Sequence, residues 1–372
     1  MNLLITNYHP HGGGGHTTYI LSLARNLQRY DINPIVACPA GSRLYDSLTR
    51  DGNIKVIAND FPNSIKEIRG VFRSVSKLRT IVKENNIDVI HVNGSPDHWL
   101  AVYYKTFFRS DIPVVRTRHG MQPVKDHLSA KFQNNRTSAT ILVCAAQQKL
   151  CSGKRAFEGH QIFVIPNGVD HEHFSPRPKS VEIREQYGLK NGDVVIGSTA
   201  GLGSYKGIPE FLTAAAPVIK EKQNIKILLV GAVNRDNPYR TLAEKLGISG
   251  NVIFTGFQAD TREYASVFDF GFVFSKAIET ISFAAREMMM MGKPVIVSDF
   301  GGLAENVIDG VNGFVIKQHS AVALQEVLGR IARDKELASR MGAKAGEKAG
   351  RDFRLEGFLK KTSDVYKIIR GI

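Results

Sequence analysis

An α/β fold of two domains, each built on a parallel sheet, is predicted here by three features of the sequence. Short apolar runs alternate with amphipathic stretches from end to end, the rhythm of βαβ units. The rhythm breaks once, at Ile165–Ser180 ("IPNGVDHEHFSPRPKS"), where proline, glycine and polar residues cluster as in a linker. And 372 residues exceed what one ordinary core organises. The reading divides the chain into residues 1–168, 169–353 and 354–372. The last part is a helix from about Arg354 to Ile369 that can pack back on the first domain. Two Rossmann-like domains of this kind are expected to face each other across a cleft at the carboxyl ends of their strands, where such sheets bind ligands.

The predicted strands of the first domain are "LLIT", "PIVAC", "KVIA", "DVIHV", "PVVRT", "TILVC" and "IFVIP". After Asp193 they are "DVVIGST", "IKILLVG", "NVIFTG", "FGFVF" and "KPVIVSD". Helical patterns such as "TTYILSLARNLQRY" and "IPEFLTAAAPVIKEK" lie between them. Apolar content of 43% and charge of 23% are those of a soluble globular protein, with no low-complexity tract or short repeat. The start, "MNLLITNYHP", has no basic region and only a three-residue apolar run. It reads as neither a signal peptide nor a spanning helix, and a cytoplasmic protein is expected. Cys38, Cys144 and Cys151 form no C-x-x-C pair and read as buried free thiols rather than metal ligands. The net charge of +14 is concentrated in residues 1–170, where 21 Lys and Arg face 12 Asp and Glu. Such a field attracts nucleic acid, anionic lipid or an anionic substrate.

Three segments carry candidate chemistry. In "NYHPHGGGGHTTYI", Gly12 to Gly15 follow the first strand and precede the first helix. Glycine admits a phosphate close to the backbone, and helix N-terminal amides favour an anion. The spacing is not G-x-G-x-x-G, so no dinucleotide is specified, and a plain turn is the alternative. In "STAGLGSYKGIPEFL", Lys206 stands in a glycine-rich strand-to-helix turn without the Walker A order. It suits a diphosphate or is simple surface charge. In "SKAIETISFAAREMMMMGKPVIVSD", Ser282–Met291 reads as a short helix, with Glu279 just before it and Glu287 inside it. Eight residues is just over two turns, so the two carboxylates serve different parts of one extended ligand. Alternatively Glu279 is a solvated cap and Glu287 lies on an exposed face beside Arg286.

In order and spacing these segments resemble a glycosyltransferase of family 4, with the GT-B fold, over nearly the whole chain. The resemblance covers Gly14–Gly15 ahead of "LARNL", "RTRHG" with His119, "VIPNGVDHEHF", "GSYKG", "TGF" at Thr255–Phe257, the Glu279/Glu287 pair, "MGKPVIVSD" and "GGLAENVIDGVNGFV". It implies a hexosyltransferase-type enzyme that moves a sugar, with retention, from a nucleotide-sugar donor to a saccharide or lipid-linked acceptor. Cell-surface polysaccharide or lipopolysaccharide assembly is the implied setting. It implies that Glu287 holds the ribose hydroxyls, Glu279 the donor sugar's hydroxyls, and Lys206 the diphosphate, helped by backbone amides near Ile281, Ser282 and Phe283. Phe257 would lie near the base, His119 near the donor sugar, and Gly14 and Gly15 would face the diphosphate and acceptor. No D-x-D occurs, so neither a metal nor another cofactor is expected. Leaving-group charge would be met by the lysine and the helix N-terminus. Two positions depart from the pattern: Gly201 stands where the family usually has an arginine, and Ser282 where a glycine is common.

The rivals are a GT-B nucleotide-sugar epimerase, a non-catalytic sugar-nucleotide-binding partner, and an NAD-dependent oxidoreductase. The missing G-x-G-x-x-G argues against the last. For the acceptor side, "NSIKEIRGVFRSVSKLRTIVKENN" sets Lys66, Arg69, Arg73, Lys77 and Lys83 around an apolar stripe of Ile65, Ile68, Phe72, Val75, Leu78 and Val82. "YYKTFFR" adds Tyr103, Phe107 and Phe108. Either this is a core-facing helix with a solvated basic face, or it meets the anionic inner face of the cytoplasmic membrane. Nucleic acid is not expected as a partner.

Overall fold

The computed structural model describes residues 1–10, 14–62, 68–233, 236–317 and 320–372. It divides into two compact units, Met1–Gly168 with Leu355–Ile372, and Val169–Arg354. The second unit ends one residue later than the sequence boundary, because Arg354 pairs with Val169 in a short parallel bridge.

In the first unit the strands are β1 (Asn2–Thr6), β2 (Asn33–Cys38), β3 (Lys55–Ala58), β4 (Val89–Val92), β5 (Val114–Arg118), β6 (Ala139–Leu142) and β7 (Ile162–Val164). They form one sheet in the order β3-β2-β1-β4-β5-β6-β7, with every pairing parallel. Runs such as "VIHV" are buried along their whole length, as strands covered by helices on both faces must be. The order reverses between β1 and β4, which makes that edge the switch point where loops diverge and ligands enter.

The second unit has β8 (Val194–Ser198), β9 (Ile225–Leu229), β10 (Val252–Phe254), β11 (Phe270–Val273), β12 (Val295–Ser298) and β13 (Gly313–Ile316). Their order, β10-β9-β8-β11-β12-β13, is again all parallel, with its switch point between β8 and β11. The loops after β8 and β11 diverge there, at the place where sheets of this kind bind ligands.

The helix Leu355–Arg370 completes the first unit. Its Tyr366 is fully buried, with its hydroxyl 2.7 Å from Nδ1 of His91 on β4. Phe358 packs edge-on against Tyr19, and Arg370 pairs with Asp88 at 3.0 Å.

The basic helix spans Ile68–Glu84, and Ile65 and Lys66 lie outside the described residues. Its apolar stripe is not uniformly core. Val75, Leu78 and Val82 are buried, but Ile68 is 60% and Phe72 55% exposed. Phe107, on the helix Ser95–Phe108, is 53% exposed and stacks on Phe72, with ring centroids 5.8 Å apart. Tyr103 and Trp99 extend that stack inward, at centroid separations of 6.1 and 5.4 Å. Arg69, Arg73 and Lys77 are exposed beside it. Among the described residues no helix is long and apolar enough to cross a membrane. Cys38, Cys144 and Cys151 are buried cysteines.

Candidate active site

The loop after β8 turns through Ser204–Lys206 and enters the helix Ile208–Glu221 at Gly207. Gly207 has φ +66°, and a Cβ there would meet the Phe274 carbonyl oxygen at 2.0 Å. Only glycine lets the two switch-point loops come this close. Their contact delivers the central pair of the site. Lys206 Nζ lies 2.5 Å from Glu279 Oε2, both side chains 12% exposed, and Ser275 Oγ donates to the same oxygen at 3.2 Å. Lys206 also lies over the Tyr205 ring, 5.0 Å from its centroid. Glu279 is therefore not a solvated cap, and Lys206 is not free surface charge. A part-buried ion pair with one added donor holds both groups in fixed positions.

Backbone strain brackets Glu279. Ile278 has φ +67° and Ser282 φ +59°. A β-branched residue in the left-handed region is uncommon, and such strain collects where a loop is held for function. The loop is anchored through its carbonyls: Thr280 accepts from the Gly302 amide at 2.6 Å, and Ile281 from Asn306 Nδ2 at 2.6 Å. The Ser282 hydroxyl caps the helix Phe283–Met290 by accepting from the Ala285 amide at 3.3 Å. The amides at the start of that helix have no intrahelical acceptor and form an anion-favouring end beside Lys206 and Glu279.

Glu287 lies on this helix, half-buried, and burial pushes its carboxyl up to about 7. It is not on an exposed face beside a solvated Arg286. Arg286 is 1% exposed, donates from Nε to Asn306 Oδ1 at 2.8 Å, and stacks on Phe353 at 3.9 Å. Asn306 thus ties Arg286 to the Ile281 carbonyl, a support that the sequence pattern did not single out. Phe257 follows the left-handed Gly256 and is 64% exposed, with its ring available for stacking. Gly201 has φ +78°, and nothing lies within 4 Å of a Cβ built on it.

The first unit holds the other candidates. Gly14, at φ +85°, precedes the helix Gly15–Asn26, whose first residue is Gly15; Gly12 and Gly13 lie outside the described residues. His119 follows β5, with Nε2 3.0 Å from Asn93 Oδ1. Its ring lies 4.2 Å from that of His16 and edge-on to Tyr19 at 4.7 Å. Burial, then the neighbouring His16, holds His119 well below the ordinary imidazole value, so it is neutral at neutral pH. Its neighbours Arg116 and Arg118 were not chosen from the sequence; their alternation on β5 was the signal available.

Residues 13–173 match the Glycosyltransferase Family 4 model, and residues 179–348 match Glycosyl transferases group 1. The chain is a family 4 glycosyltransferase. Among its relatives is the N-acetyl-alpha-D-glucosaminyl L-malate synthase of Bacillus anthracis, 23% identical over 298 residues, covering 78% of this chain and 77% of that one. A D-inositol 3-phosphate glycosyltransferase of Xylanimonas cellulosilytica is 26% identical over 403 residues, covering 95% and 91%. The structure of Anabaena Alr3699/HepE in complex with UDP superposes with a TM-score of 0.83 at 22% identity, covering 99% and 100%. The glycosyltransferase therefore has the GT-B fold.

Proposed function

We propose that this glycosyltransferase moves a hexosyl group, with retention, from a nucleotide-sugar donor to a saccharide or lipid-linked acceptor in cell-surface polysaccharide or lipopolysaccharide assembly. The observation that carries the reading is the Lys206–Glu279 pair at the β8/β11 switch point, beside the N-terminus of the helix that bears Glu287. Glu287 accepts the ribose hydroxyls, and Phe257 stacks near the base. Lys206 and the amides at Ile281, Ser282 and Phe283 take the diphosphate. Glu279 orients the sugar hydroxyls while it positions Lys206. Within the first unit, Gly14 and Gly15 leave the backbone open to the acceptor, and neutral His119 offers a ring nitrogen to a sugar hydroxyl. The bond from the anomeric carbon to the diphosphate oxygen breaks, and the acceptor oxygen bonds on the same face. The acceptor's proton passes to the departing phosphate oxygen. Fixed positive charge stabilises that leaving group without a metal.

The exposed stack of Phe72 and Phe107 beside Arg69, Arg73 and Lys77 supports peripheral association with an anionic membrane face. Each base near such a surface contributes about 1 kcal/mol, and salt screens it. Sedimentation with anionic vesicles at low salt, released at high salt, is the expected result. Indifference to them would leave a soluble acceptor.

The test of the donor reading is a melting-temperature panel of nucleotide sugars, followed by mass-spectrometric detection of the glycosylated acceptor. No stabilisation by any nucleotide sugar would sink it. Donor binding with neither transfer nor hydrolysis would favour the binding-partner reading, which Gly201 motivates.

A further inference from the structure

Arg116 and Arg118 are two residues apart on β5, so their side chains share one face of the sheet. Thr117 between them serves the other face, 2.9 Å from the Tyr19 hydroxyl and 2.7 Å from His91 Nε2. The arginine face lines a cavity of about 500 Å³ within the first unit, together with Trp99, His119, Lys125 and Gln133. That volume suits a small ligand or headgroup. Its walls carry three cations and, among the described residues, no Asp or Glu.

Among the residues lining the cavity, the buried polar atoms without a partner point one way. Arg116 Nε, Arg118 Nε and Gln133 Nε2 are buried without a hydrogen-bond partner, and Gln133 is only 9% exposed. All three are donors. The acid that acts on Arg116, Asp97, spends Oδ2 on Thr6 and the Asn93 amide, both at 2.7 Å, and makes no hydrogen bond to the arginine. Burial, reinforced by Arg118, brings the Arg116 guanidinium down to about 10. Buried cations and orphan donors are unfavourable until an acceptor arrives. A neutral sugar brings hydroxyls that need acceptors of their own. An oxyanion offers only acceptors, and guanidinium groups match its geometry.

We propose that this cavity is an acceptor subsite for an oxyanion, a phosphate or carboxylate borne by the acceptor, gripped by Arg116, Arg118 and Gln133. The inference rests on the transferase reading and adds the acceptor's charge to it.

Trp99 is the sole tryptophan and lines the cavity, so its emission reports occupancy. The full chain is titrated with glucose 6-phosphate, glucuronate and glucose, and with vesicles of phosphatidylglycerol against phosphatidylcholine. The anionic probes should change the emission saturably, and glucose and phosphatidylcholine should not. A response to the soluble anions alone identifies a charged saccharide; a response requiring phosphatidylglycerol identifies a lipid headgroup. Arg116→Gln and Arg118→Gln should each weaken the response at least tenfold, with Arg118→Lys recovering part. Stabilisation by UDP, or by whichever nucleotide the panel selects, should persist and show that the variants are folded. Equal binding of glucose and glucose 6-phosphate, or unchanged affinity in both glutamine variants, overturns the proposal. Those outcomes leave the donor reading intact. Anion binding with no nucleotide sugar stabilising the chain would instead sink the transferase reading.

Discussion

Replacing Glu287 with glutamine should stabilise the ligand-free protein at alkaline pH while weakening nucleotide binding. Burial raises this carboxyl from the ordinary 4.5 to about 7. Below 4.5 it is neutral in both folded and unfolded chains and contributes nothing. Between 4.5 and 7 the unfolded chain releases the proton and the folded chain keeps it, so stability falls as pH rises. Above 7 the penalty is complete. That interval corresponds to at most about 3 kcal/mol. Glutamine has the same shape and cannot ionise, so the variant lacks this loss. Urea unfolding of both proteins at pH 5 and pH 8, followed by circular dichroism, measures it. The variant's advantage should be small at pH 5, where roughly a quarter of the penalty has developed, and near its full size at pH 8, and other titrating groups cancel in the difference. An advantage that is the same at both pH values would refute the reasoning. Calorimetry supplies a second arm. Ribose hydroxyls donate to the carboxylate, so binding a nucleoside diphosphate near pH 6.5 should release more protons in the wild type than in the variant, the ligand's own phosphate contributing equally to both.

Lys206→Ala should lower turnover by about 10²–10³, the cost of one transition-state electrostatic contact; a loss of only a few-fold in steady-state kinetics would move the phosphate role elsewhere. Gly201→Arg has room for a side chain but must hold φ +78°, at a cost of about 1–2 kcal/mol. Its melting temperature should fall and its rate should gain less than tenfold, and a hundredfold gain would show that the loop accepts the second cation. Ser282→Gly relieves φ +59° but loses a cap worth a few tenths of a kcal/mol over glycine, so the melting temperature should hold or rise slightly; a drop of several degrees would contradict the strain assignment. Transfer should continue in EDTA, and loss that added magnesium or manganese restores would reject the metal-free mechanism.

Among the described residues, twelve of the thirteen strands were legible as apolar runs because parallel strands covered on both faces have little room for polar residues. β13 was not: "GFVI" opens on Gly313 directly after the turn residues Gly310–Asn312, so it does not separate from its loop. The site was legible in its motif residues, Lys206, Glu279 and Glu287, but not in its wiring. Nothing local announces that Lys206 meets a carboxylate seventy-three positions away, or that Arg286, beside Glu287 in the sequence, turns inward to Asn306 and Phe353. Those contacts depend on the sheet order, which periodicity does not supply. Of the two alternatives left open for the basic helix, the core-facing one does not extend to Ile68 and Phe72, whose exposure spacing alone does not reveal.

The helix Leu355–Arg370 has a consequence for biosynthesis. The first unit's sheet is fully synthesised by Val164, yet the hydroxyl that His91 needs arrives with Tyr366. At about 5–20 residues per second, the intervening chain takes roughly 10–40 s to emerge from a ribosome. For that interval the nascent sheet has one ring nitrogen of His91 without its partner and an apolar face around Tyr19 without Phe358. The second unit, contiguous in sequence, is therefore positioned to finish folding before the first. A chain cut after Gly168 would remain in the nascent condition, so acceptor-side fragments should be expressed with residues 355–372 supplied in trans or fused.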